Sequence, residues 1–166
     1  MLHINFIAVL IAAVVPMVMG FIWYHPKVCG TAWMNVTGMT PEKAKQSNMA
    51  VVFGVSFILS LMLAFIMQAM VIHQFHLGSL FYKLPVDDAT TPEGALFKQV
   101  MDMLGGSWRT FKHGALHGFI GGLFIAFPIL GTNALFEQKG WKYIWINVGY
   151  WIITMTIMGG IISAMP

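Results

Sequence analysis

Four long apolar runs alternate with three polar stretches along this chain. The runs fall at about 2–24, 49–73, 113–136 and 143–164, each long enough to carry a helix through a hydrocarbon core of ~30 Å. Every lysine, arginine, aspartate and glutamate lies outside them. In lipid each backbone polar group needs an internal partner, which a helix supplies. The pattern predicts an all-α fold. It is an integral membrane four-helix transmembrane bundle, one domain over 1–166, with a short interfacial helix and an amphipathic helix in the long second connector.

The first run lacks a basic leader, exceeds the apolar length of a signal peptide and has no small-residue cleavage site, so it reads as a retained span. Pro16 removes a backbone donor in mid-span and predicts a kink near Ala12 and Ala13. Trp23 and Tyr24 suit the headgroup level, and Pro26 stops the helix. Residues 30–36 predict the short interfacial helix, with Trp33 and Met34 dipping inward and Gly38 closing it. Thr40-Pro41-Glu42 carries a cap, a proline at the first helical position and an acid in the first turn. The second helix is therefore expected to begin near Pro41 and enter the membrane at about Met49. Within it, Ser56 and Ser60 read as hydroxyls bonded back to the helix, and Gln68 must face protein. In the second connector Thr91-Pro92-Glu93 repeats the start signal. Leu96, Phe97, Val100, Met101 and Leu104 then follow helical spacing, predicting an amphipathic helix over about 92–104 on the membrane surface or capping the bundle.

The third run holds the densest pattern. Gly114, Gly118, Gly122 and Ala126 recur every fourth residue, a small-residue face against which another helix can come close. Pro128 predicts a bend near Phe124. Asn133 and Asn147 lie nearly equidistant from the turn at 137–140, so they are expected to face each other and share a hydrogen bond. Trp141, Lys142, Tyr143 and Trp145 form a second aromatic and basic interface cluster.

Composition agrees with lipid as the solvent: 58% of residues are hydrophobic and 9% charged, against about a quarter charged in soluble domains. The net charge of +3, with no basic run interleaved with aromatics, argues against nucleic acid as a partner. Cys29 is alone, so no disulfide framework exists within the chain. The fourteen methionines lie mostly inside the runs and read as flexible filler rather than copper ligands. The first and third connectors carry Lys27, Lys43, Lys45, Lys139 and Lys142. The second carries Lys83, Lys98, Arg109 and Lys112 with four acids. That bias places both termini on the non-cytoplasmic side.

With four spans, His3, His73, His76, His113 and His117 fall on the side of the termini and His25 on the other. His73 and His76 are three apart and His113 and His117 four apart, spacings that put each pair on one helical face. A transition metal can use three or four such nitrogens, and a haem one from each helix. The competing reading is packing of interfacial histidines with Trp108 and lipid headgroups. No nucleophile triad, phosphate loop or intramembrane carboxylate pair accompanies them.

The segments GFIWYHPKVCGTAWM and TGMTPE resemble the opening of a bacterial family, domain-of-unknown-function family 1761. The ending GTNALFEQKGWKYIWINVGYWIITMTIMGG resembles its second half, with LFE, W-K-Y and IN-x-GYW elements. The resemblance implies a small four-span protein of the bacterial inner membrane and carries over no catalytic residue. Two functional readings stand. One is a non-enzymatic bundle without a cofactor, acting through helix packing, binding to a homo-oligomer or membrane-protein partner, or small-molecule passage. The other is a transition-metal or haem protein built on His73, His76, His113 and His117.

Overall fold

The computed structural model describes residues 4–165, in which nine α-helices and two π turns occur and no strand. Helix α1 (Phe6–Trp23) starts where the Asn5 side chain accepts the Ala8 N–H, and it runs unbroken through Pro16. Pro26 then opens a π turn (Pro26–Gly30) that leads into α2 (Thr31–Thr37), and Gly38, at φ +68°, ends it. A β-carbon at Gly30 would overlap the Tyr24 carbonyl, which is why the tight reversal needs glycine there.

Thr40 caps a single turn, α3 (Pro41–Lys45), but the second spanning helix does not continue from it. Asn48 accepts the Val51 N–H and caps a new helix, α4 (Met49–Val71). A second capping side chain gives the backbone an alternative to helical bonding, so the helix expected from Pro41 is two helices. Ile72 is extended and turns the chain into α5 (Gln74–Leu80), a short helix in the second connector ahead of the one expected over about 92–104. Thr91 caps α6 (Pro92–Leu104). Its Phe97 ring packs on Phe81 at 5.3 Å, while Leu96, Met103 and Leu104 stay exposed.

The third span comprises α7 (Phe111–Gly121), a π turn (Gly122–Ala126) and α8 (Phe127–Phe136). Pro128 has no N–H for the Phe124 carbonyl, and the Phe127 N–H reaches five residues back to Gly122. The bend expected near Phe124 is thus a π turn. Helix α9 (Trp141–Ala164) closes the bundle and is its most enclosed element.

Four helical segments, Phe6–Trp23, Met49–Val71, Phe111–Phe136 and Trp141–Ala164, are long and apolar enough to cross a membrane. Val9, Ala12 and Ala13 of α1, Ala64, Met67 and Val71 of α4, and Met155, Met158 and Ile162 of α9 form the main core. Outward, Leu10, Ile58, Leu59, Met62, Phe65, Ile66, Phe124 and Ile129 are exposed. An apolar belt of that extent belongs to a surface solvated by lipid.

The closest approach is between α7 and α9. A β-carbon on Gly114 would overlap the Gly159 carbonyl, and one on Gly118 the Met155 carbonyl. One on Gly122 would lie 2.6 Å from Ile152 Cα. Backbone meets backbone along this seam, which only small residues allow. Ala126 ends the π turn, which shifts the helical register, and it is only half-buried.

Candidate metal centre

The seam sets where α7 begins relative to the end of α4. Thr110 caps α7 by accepting the His113 N–H at 3.3 Å. His113 and His117 then stand one turn apart on the face toward α4. His73 follows the extended Ile72 at the end of that helix. The His73 and His113 Nε2 atoms are 2.9 Å apart, so one imidazole donates to the other. Ring centroids are separated by 4.9 Å for His73 and His113, 5.0 Å for His73 and His117, and 4.6 Å for His113 and His117. One nitrogen from each ring lies within 4.8 Å of the other two.

His76, expected in the same site, is outside this group. Its ring centroid is 6.5 Å from that of His73, one turn further along α5, which His73 caps. His3 lies outside the described residues. Trp108 covers one edge, its ring 5.7 Å from that of His113, and His73 remains exposed. Partial burial, then the nearby His113 and His76, hold the His73 imidazole below its ordinary pKa. That shift favours the neutral imidazole, the form that binds metals.

Three groups that the sequence did not single out brace this end. The buried Gln74 donates from Nε2 to the Leu104 and Ser107 carbonyls at 2.8 and 3.0 Å, tying α5 to the turn before α7. Ser163 donates to the Trp108 carbonyl at 3.2 Å. Arg109 donates from Nε to the Ser163 carbonyl at 3.0 Å and from Nη2 to the Met165 carbonyl. A cation there also faces the negative end of the α9 dipole. No local motif announces these bonds, since their partners lie 30 to 56 residues away.

A family model, protein of unknown function (DUF1761), matches residues 7–163. The chain belongs to that family. No curated protein and no solved structure matches it. In this DUF1761 chain the two segments that carry the likeness meet at the end of the bundle opposite the histidines. Trp23 donates from Nε1 to the Ile146 carbonyl at 3.0 Å, and the Tyr24 hydroxyl donates to Asn147 Oδ1 at 3.2 Å. Asn147 gives its own amide hydrogen to the Tyr143 carbonyl at 2.8 Å. The hydrogen bond expected between Asn133 and Asn147 is therefore not made. Asn147 is satisfied by its own helix and by α1, and Asn133 is exposed on α8. Both nevertheless line one cleft between α8 and α9.

Proposed function

We propose that this membrane protein holds one divalent transition-metal ion on His73, His113 and His117, as a binding rather than a catalytic bundle. The convergence of three imidazoles from two helices carries the reading. With metal–nitrogen bonds of ~2.0–2.1 Å and tetrahedral angles, imidazole centroids stand ~5 Å apart, and ligand nitrogens ~3.3 Å apart. The ring separations of 4.6–5.0 Å match, and the 2.9 Å contact needs to open by only a few tenths of an ångström.

The donor set favours zinc, cobalt, nickel or copper over calcium or magnesium, because all three ligands are imidazoles and none is a carboxylate. Haem fits poorly. Axial ligands need a flat ring between them, whereas the His73 and His113 nitrogens are in direct contact at 2.9 Å and leave no room for it. A fourth position is left to water or to a ligand arriving from the aqueous side. Because no acid lies inside the spans, none is placed there to serve as a general base, which favours a binding role.

Metal analysis of the purified chain after zinc or cobalt loading and desalting tests this. One ion per chain is expected, falling below a tenth in His113→Ala and His117→Ala. Cobalt should give the intense visible bands of a tetrahedral site. No retained metal, or retention unchanged in both variants, would sink the proposal.

A further inference from the structure

The polar side chains of the family-like ending are not used by the metal reading. Asn133, Glu137, Tyr143 and Asn147 line a cleft of about 160 Å³ at the end of the bundle opposite the histidines. Leu130, Ala134, Ile144 and Trp151 complete its walls. Glu137 opens the turn at 137–140, which is followed by Trp141, Lys142, Tyr143 and Trp145, residue types that settle at the headgroup level.

The lining has a surplus of acceptors. Glu137 brings a carboxylate that is in no ion pair: among the described residues the one ion pair joins Lys98 and Asp102. Asn147 spends an amide hydrogen on the Tyr143 carbonyl and receives the Tyr24 hydroxyl, leaving a second lone pair on Oδ1. Asn133 brings a further amide oxygen. The Tyr143 and Trp151 rings add π faces that attract cations, and Lys139 Nζ already stands 5.9 Å from the Tyr143 centroid. The cleft, about 160 Å³, has room for a two-carbon amine, and a trimethylammonium head, which has no N–H to donate, would leave these acceptors unpaired.

We propose that this cleft binds a small primary ammonium group of ethanolamine size, with Glu137 as counter-charge and the two asparagines as acceptors. The group can arrive on a phosphatidylethanolamine headgroup or as a free amine, and the chemistry of recognition is the same. The inference is independent of the histidine cluster.

The full chain, purified in detergent, is offered equimolar phosphatidylethanolamine, phosphatidylcholine and phosphatidylglycerol, and retained lipid is read by native mass spectrometry. In parallel, its thermal unfolding is followed with ethanolamine hydrochloride against sodium chloride at equal ionic strength. Retention of phosphatidylethanolamine at least about tenfold above the others, abolished in Glu137→Gln, supports a lipid headgroup. Stabilisation by ethanolamine that needs Glu137, without lipid preference, assigns the cleft to a free amine. Glu137 is exposed at a turn, so the variant should keep its helical circular dichroism, and Asn133→Ala should weaken either effect partially. Equal retention of the three lipids with no ethanolamine shift overturns the proposal. So does any effect that persists unchanged in Glu137→Gln.

Discussion

At Gly118 the space for a β-carbon is already filled by the Met155 carbonyl of α9. Gly118→Leu should therefore separate α7 from α9 and cost at least about 1–3 kcal/mol, the range for forced overpacking. Thermal unfolding in detergent checks it, and stability equal to the parent would mean the seam is not held as described. Arg109→Ala should cost about 1.5–3 kcal/mol, because two charge-assisted bonds to carbonyls at the α9 end disappear. The same scan reads it, and Arg109→Lys should restore only part of the loss, since an ammonium lacks the planar fork. These residues differed in how well the sequence exposed them. Gly118 belongs to a four-residue repeat that any helix turns into one face. Arg109 was one basic residue among four in a connector, and its partners are brought near by folding alone.

Among the elements, α6 and α9 mark the extremes of attachment. Helix α9 is enclosed on most of its surface, while α6 makes no extensive contact with any of the four spanning helices. Its ties are the Phe81–Phe97 ring contact and the Gln74 bond to the Leu104 carbonyl. Amides of α6 should exchange with solvent at least about a hundredfold faster than those at the centre of α9. Hydrogen-exchange mass spectrometry decides it; equal protection would mean that α6 is docked far more firmly. The spanning helices were legible because each is a long apolar run. The break at Gln46–Asn48 was not, because two start signals in series do not say whether the chain reads through the second. The π turn at Gly122–Ala126 depends on one missing donor at Pro128, which predicts a bend but not how the ladder is repaired.

For the molecule as a whole, metal binding and folding should be linked. An ion held by His73, His113 and His117 ties the end of α4 to the start of α7. Zinc at a hundredfold excess over its dissociation constant should stabilise the fold by about 2.7 kcal/mol. Unfolding scans with and without zinc check this, and a shift that survives His113→Ala would locate the stabilising ion elsewhere. Topology gives a second test. The lysine bias predicts both termini on the non-cytoplasmic face, with the histidine cluster beside them. A cysteine added at the C-terminus of a Cys29→Ser chain should react with an impermeant maleimide in intact cells. Labelling only after lysis would reverse the orientation and place the cluster inside.

The sequence by itself determined the solvent, the helical class and the number of spans, because each follows from local composition and from the need to satisfy the backbone in lipid. It also placed His73, His113 and His117 at span ends on one side, since spacing and the parity of four spans are enough for that. Only the tertiary structure decided that these three rings meet while His76 stays apart. One residue's step around a helix is about a hundred degrees, and the rotation of α7 is set by its glycine seam with α9, not by any neighbour in sequence. The same holds for Asn133 and Asn147. Their equal distance from a turn fixed their depth, but the partners that satisfied Asn147 came from α1 and from its own helix.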